Sequence, residues 1–288
     1  MQYLSPDSFS SAADIAANAK GSIRFLAGGT DVLVQLRSEM FTPDTLIDIK
    51  KAAGANSIER TADGGWRIGA AVAGADLSEH THLKNDWPGV VEAVDLIGST
   101  QIQGRATLVG NLCNGSPAAD SVPALVAADA RVIVESLSGE RTISVIDVPH
   151  SPGKTNLEKG DVVKAVLLPA SKERSGDAYL RFIPRSEMDI AVVGCGIWLQ
   201  LDEEGVVSAA RVSLGAVAPT VLNVKGASEA IIGTKLNDNA LKKLAGAARA
   251  ACKPINDRRG TVEYRTHLAG VLAKRAAKIA YERAGVSE

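Results

Sequence analysis

Apolar positions along this chain change their period from one stretch to the next, and each period predicts an element. In "SFSSAADIAANA", Ala12, Ile15, Ala16 and Ala19 fall on one face at helical spacing, with Ser10 or Ser11 as N-cap. "IRFLAGGTDVLVQLRSE" reads as a short strand, a glycine turn and a helix carrying Val32, Leu33 and Leu36. "TLIDI", from Thr45 to Ile49, follows Pro43 as a second strand, so a βαβ-like unit is predicted. "WRIGAAV" predicts a strand and Gly74 to Ser78 a turn into a helix. "WPGVVEAVDLIGS" predicts a helix with Pro88 in its first turn, and "SVPALVAADARVIVES" a short helix then a strand. "VPHSPGKTNLEKGD" is rich in proline, glycine and charge and predicts a loop before the strand "VVKAVLLP".

The texture changes from about Asp177. Two apolar runs flank the acidic turn Asp202 to Gly205, which predicts a β-hairpin with a helix-covered face. The chain then ends in helical patterns, "NALKKLAGAARAAC" and "VEYRTHLAGVLAKRAAKIAYERAG". In the last, Leu268, Val271, Leu272, Ala276 and Ile279 share a face. A domain boundary is expected near residue 170, giving 1–170 and 171–288. No internal repeat or low-complexity segment interrupts the pattern.

Composition narrows the function. The 288 residues are 45% hydrophobic and 23% charged, values of a globular chain with a sizeable core. A formal net charge of −1 offers no electrostatic footprint for nucleic acid or an anionic membrane. Charges break the apolar runs, so no transmembrane segment is expected, and "MQYLSPDSFS" lacks the features of a signal peptide. A cytoplasmic protein is expected. Cys113, Cys195 and Cys252 lie too far apart in sequence for a CxxC zinc site or a cluster-binding run.

Several familiar chemistries fail on spacing. "GCGIWL", Gly194 to Leu199, lacks the third glycine of a dinucleotide fingerprint, and its glycines read as relief of crowding in a strand. "GKT" at Gly153 to Thr155 has Val148 where a Walker A loop needs glycine. "HTH", His80 to His82, has no further ligand nearby and reads as a polar surface turn, and no GxSxG elbow occurs.

Two stretches remain. In "LAGGTD", Gly28 and Gly29 stand between strand and helix, where backbone N–H groups and a helix start can hold a phosphate without obstruction from Cβ atoms. Thr30 adds a hydroxyl, and Thr30 or Asp31 can cap the following helix. In "TLVGNLCNGSPAAD", Thr107, Gly110, Asn111, Asn114, Gly115, Ser116 and Asp120 crowd hydrogen-bonding groups into what reads as a loop, with Asp120 suited to sugar-type hydroxyls. Each stretch also has a plain reading, as a glycine turn and as a long loop with Asx turns. In "AYLRFIPRSEMDIAVVG", Arg181, Arg185 and Asp189 recur four apart. They would form surface pairs on a helix, or leave an arginine free for an anionic ligand if the segment is extended.

"LAGGTDVLVQLR", "TLVGNLCNGSPAADS", "AYLRFIPRSEMDIAVV" and "YRTHLAGVLAKRA", in this order, resemble the FAD-binding medium subunit of the molybdenum hydroxylases, the group of xanthine dehydrogenase and aerobic carbon monoxide dehydrogenase. The resemblance spans nearly the whole chain. It implies an α+β fold: a two-subdomain FAD-binding domain of the vanillyl-alcohol oxidase (PCMH) type over 1–170, split near residue 52, and a small C-terminal α/β domain over 171–288. It implies that Ala27, Gly28, Gly29, Thr30 and Asp31 form the first FAD loop. The second, T-x-G-G-N in the family, falls on Thr107, Leu108, Val109, Gly110 and Asn111, with Val109 in place of a glycine. Ser116 belongs to the same stretch, and Asp120 matches an acid near the ribityl or phosphate region. Ile97 and Val163 match apolar positions beside the cofactor, and Arg181 a basic one near the flavin.

The activity implied is electron transfer, from a [2Fe-2S] small subunit through FAD to an external acceptor (NAD, quinone or oxygen), while a molybdenum cofactor-binding large subunit performs the hydroxylation. No catalytic side chain is expected, nor an iron–sulfur cluster or molybdenum on this chain. FAD is expected to be non-covalent, because neither loop contains histidine. The alternatives are a self-sufficient FAD-dependent oxidoreductase, which needs a positioned base, and a non-redox nucleotide-binding protein.

Overall fold

A computed structural model describes residues 1–285. The chain opens with β1 (Gln2–Leu4), α1 (Phe9–Asn18), β2 (Ile23–Leu26), α2 (Val32–Arg37) and β3 (Thr45–Asp48). The three strands form a parallel sheet in the order β1-β3-β2, so β2, α2 and β3 make the predicted βαβ unit. The N-cap of α1 is Ser8, not Ser10 or Ser11; its hydroxyl accepts from the Ser11 N–H, and Phe9, Ala12, Ala13 and Ala16 are buried.

Next come β4 (Ile58–Arg60) and β5 (Trp66–Gly69). Short helices follow: α3 (Gly74–Glu79), α4 (Thr81–Asp86), α5 (Pro88–Asp95), α6 (Thr100–Gln103), α7 (Leu108–Cys113) and α8 (Ser121–Ala127). Then come β6 (Arg131–Ser136), β7 (Gly139–Ser144), β8 (Pro149–Ser151), β9 (Lys154–Thr155) and β10 (Val162–Leu168). β10 is the middle strand of an antiparallel sheet ordered β4-β5-β10-β6-β7, and its Val162, Val163, Ala165, Val166 and Leu168 are buried.

Two local expectations change here. "TLVGNLC" is the helix α7, capped by Thr107, rather than part of a loop; and the proline-rich tract contains the small hairpin β8–β9. His80 joins α3 to α4, its Nδ1 accepting from the Leu83 N–H while its ring meets Trp66 edge-on.

The rest of the chain comprises β11 (Ser175–Phe182), β12 (Val193–Leu201), β13 (Val207–Gly215), β14 (Leu222–Asn223), α9 (Lys225–Glu229), α10 (Asp238–Ala251) and α11 (Val262–Gly285). β11 to β14 form an antiparallel sheet in chain order, with the predicted hairpin at β12–β13. α11 packs on β11 and β12, burying Leu268, Leu272 and Ala276. α8 packs mainly on the two central strands, β12 and β13. A Cβ on Gly196 would stand 2.4 Å from the Pro123 carbonyl oxygen, and one on Gly194 would stand 2.5 Å from the Tyr179 hydroxyl. The glycines of "GCGIWL" therefore admit close packing.

Candidate functional site

The two segments singled out by sequence meet in space. Gly28 packs against the backbone leading into α7 so closely that a Cβ would lie 1.8 Å from the Arg105 carbonyl oxygen. Its missing side chain makes room for another part of the chain, not for a ligand directly. Gly29 has φ +81°, a left-handed conformation that glycine adopts without strain, and its carbonyl accepts from the Leu33 N–H at 3.0 Å to start α2. α2 and α7 have six residues each, so local N–H groups rather than a long helix dipole make the donor surface. Neither Thr30 nor Asp31 caps α2 through its side chain.

Around this junction lies a cavity of about 640 Å³, a volume suited to a cofactor or other sizeable small ligand. Ala27, Gly28, Gly29, Thr30 and Asp31 line one wall. Thr107, Val109, Gly110 and Asn111 line a second, and Ile97 and Val163 supply apolar surface. Among the described residues, no acceptor meets the backbone N–H groups of Gly28, Gly29, Thr30 or Asp31. The Val109 N–H, in the first turn of α7, is free in the same sense. Thr107 Oγ1 accepts from the Gly110 N–H at 2.9 Å. Asn111 Oδ1 accepts from the Ser121 hydroxyl at 2.7 Å and the Ser121 N–H at 3.2 Å, so its amide donors are the end left for the cavity. Gln35 of α2 donates to Asn114 Oδ1 at 3.3 Å, tying the two walls together. Such a row of donors fits a pyrophosphate, whose oxygens accept only. Cys113 also lines the cavity, but burial pushes its thiol up to about 12, so it is not a nucleophile there.

The structure does not bring Leu108, Ser116, Asp120 and Arg181 to this cavity. Leu108 is a core residue, 2% exposed. Ser116 Oγ accepts from the Ala118 N–H in a local turn. Asp120, at the start of α8, receives the Tyr179 hydroxyl at 3.0 Å and Arg181 Nη1 at 2.7 Å. Tyr179 and Arg181 alternate on β11, so they share a face and grip one carboxylate. Burial pushes the Asp120 carboxyl up to about 6, against the opposing pull of Arg181 and Tyr179. Arg185 and Asp189 pair with each other in the loop after β11.

Other lining residues carried no usable sequence signal. Gly153 and Thr155 of the β8–β9 hairpin, followed by Leu157, Glu158 and Lys159, close one side. The Gly153 N–H donates to the Gly115 carbonyl at 2.9 Å. The Arg24 guanidinium, 4.3 Å from the centre of the Phe41 ring, walls another. A rejected Walker A fragment was the single hint at the first group; nothing pointed to the second.

The fold and cavity define an α+β protein with a donor-lined cavity suited to a phosphate-bearing cofactor. The description "FAD binding domain in molybdopterin dehydrogenase" matches residues 1–171, and "CO dehydrogenase flavoprotein C-terminal domain" matches residues 178–280. The chain belongs to this family of molybdopterin-dehydrogenase flavoproteins. It is 31% identical to the xanthine dehydrogenase FAD-binding subunit of Escherichia coli O157:H7 over 91% of this chain and 90% of that one. It is 29% identical to the carbon monoxide dehydrogenase medium chain of Hydrogenophaga pseudoflava over 98% and 97%. The solved carbon monoxide dehydrogenase from Hydrogenophaga pseudoflava superposes with a TM-score of 0.93 at 30% identity, covering 98% of each chain. The fold is thus the α+β arrangement of a PCMH-type FAD-binding domain with a carbon monoxide dehydrogenase flavoprotein C-terminal domain.

Proposed function

We propose that this chain is the electron-transferring medium subunit of a molybdenum-containing hydroxylase or dehydrogenase, holding FAD non-covalently in the cavity described. Electrons arrive from a [2Fe-2S] small subunit and leave to an external acceptor, NAD, quinone or oxygen, while a molybdenum cofactor-binding large subunit carries out the substrate chemistry. The bound flavin supplies the redox chemistry, exchanging electrons singly or in pairs. The observation that carries this reading is the convergence of residues 27–31 and the start of α7 on one cavity lined with donors that lack acceptors.

The chain's own residues bind and orient. Backbone N–H groups of Gly28, Gly29, Thr30 and Val109, with the Asn111 amide, receive the pyrophosphate. Ile97, Val109 and Val163 keep water from the apolar part of the cofactor. No histidine lines the cavity among the described residues, which supports non-covalent attachment. Asp120 and Arg181 belong to the seam with the C-terminal sheet and act on the cofactor only through it. The division at residue 170 fits two buried apolar clusters, one drawn mainly from residues 9–168 and the other from 178–284. The further split near 52 rests on the change from the parallel sheet of residues 2–48 to the antiparallel sheet of residues 58–168, which share the first cluster. No helix among the described residues is long and apolar enough to cross a membrane, and we place the complex in the cytoplasm.

The purified chain should show a flavin absorption spectrum. Acid precipitation should release all the colour to the supernatant, with the mass of FAD. A colourless protein that also refuses added FAD would overturn the reading.

A further inference from the structure

The two carbonyl groups flanking the Gly28 α-carbon are each held by a cation from outside the cavity. Lys50 Nζ donates to the Ala27 carbonyl at 3.3 Å, and Arg105 Nε donates to the Gly28 carbonyl at 3.3 Å. Ala27, Gly28 and Gly29 line the cavity, whereas Lys50 and Arg105 do not. Among the described residues all peptide bonds are trans. In a planar trans peptide the C=O and the next N–H point in opposite directions. A carbonyl drawn outward to Lys50 therefore turns the Gly28 N–H inward, and one drawn to Arg105 turns the Gly29 N–H inward. Those are two of the donors left without acceptors.

Lys50 is itself fixed. Its Nζ meets Asp48 Oδ1 at 2.8 Å, the Lys50 N–H donates to the same oxygen at 3.0 Å, and the Tyr3 hydroxyl donates to Asp48 Oδ2 at 2.5 Å. Asp48 is 5% exposed, so the carboxylate is an internal anchor rather than a surface partner.

We propose that Lys50 and Arg105 are positioning residues for the cofactor: without touching it, they set the two peptide planes whose N–H groups receive the pyrophosphate, and Tyr3 and Asp48 hold Lys50 to that task. The inference rests on the cavity being the FAD site. A turn whose carbonyls were free could rotate either peptide plane and present an oxygen to the phosphate, which repels it. Two carbonyls tethered by cations prevent that inversion, and glycine, the residue most free to flip, is the one that needs tethering.

The test uses the full chain freed of flavin, titrated with FAD by fluorescence and with ADP in competition, because ADP carries the pyrophosphate without the flavin. Lys50→Met and Arg105→Gln should each weaken both ligands about tenfold, the loss expected from a disordered donor, whereas Lys50→Arg should recover most of the lost affinity. The Arg105 side chain is exposed, so Arg105→Gln will fold even if Lys50→Met does not. Melting temperatures of the flavin-free variants separate positioning from stability. Variants that melt lower but bind FAD and ADP within twofold of wild type would overturn the proposal. A wild-type chain that binds neither ligand would instead overturn the reading of the cavity.

Discussion

Gly28 shows what a glycine pair can and cannot reveal. Its constraint is legible in "LAGGTD", but the atom that imposes it belongs to Arg105, 77 residues away, and only tertiary structure supplies that neighbour. Alanine at Gly28 would press a methyl group onto the Arg105 carbonyl at 1.8 Å. Backbone cannot yield as a flexible side chain does, so the two cavity walls must part, at about 1–3 kcal/mol for overpacking of this kind. Gly28→Ala should therefore purify with less than half the flavin of wild type, read as the ratio of flavin to protein absorbance, and should melt lower. Thr107 is simpler. Its hydroxyl caps α7 by accepting from the Gly110 N–H. Thr107→Val should lose about 1 kcal/mol of stability by denaturant titration, while Thr107→Ser should keep nearly all of it.

Elements were legible where period and length agreed, as in β10, the β12–β13 hairpin and α11. α7 was not, because Gly110 and Asn111 inside it are weak helix formers, and it forms through the Thr107 cap and the burial of Leu108, Val109 and Leu112. The β8–β9 hairpin was hidden by Pro149, Pro152 and Gly153, which read as loop chemistry. β11 was ambiguous for another reason. Arg181, Arg185 and Asp189 fit a helical spacing, yet β11 ends at Phe182, and strand alternation is what aims Tyr179 and Arg181 together at Asp120. That pair is a load on the joint between α8 and β11. The Asp120 and Arg181 side chains are 10% and 4% exposed, so removing either partner alone buries an unpaired charge or strands a polar group, at about 3–5 kcal/mol. Asp120→Ala and Arg181→Met should each destabilise strongly in denaturant titrations, whereas the double variant should lose much less than their sum.

At the scale of the whole molecule, the change of texture near Asp177 pointed to a second unit, but not to how it docks. Asp177 itself makes one of the docking contacts, beside the packing of α8 on the sheet and the Asp120–Arg181 pair. Its Oδ2 accepts from the Val90 N–H at the start of α5 at 3.1 Å, while its Oδ1 is buried without a partner among the described residues. Arg283 of α11 donates to the Asp177 carbonyl at 2.7 Å and pairs with Glu92 of α5. Burial, reinforced by Glu92, pushes the Asp177 carboxyl up to about 7 from an ordinary 3.8, against Arg283 and the α5 N–H groups. The folded chain thus keeps a proton that the unfolded chain releases. This stabilisation is complete below about pH 4 and is lost as the pH rises to about 7. Asp177→Asn keeps an acceptor for Val90 and cannot ionise. Its melting temperature relative to wild type should therefore climb between pH 4 and 7 and level off above, and a difference constant across that range would remove Asp177 from the account.

The contact between Gly28 and Arg105 also bears on how the protein is made. On the ribosome, at roughly 5–20 residues per second, the first glycine turn waits several seconds before its neighbour appears. The last residue lining the cavity, Val163, emerges later still. The cavity is therefore complete only when more than half of the chain has been synthesised, and a flavin can be enclosed by its full lining only after that point.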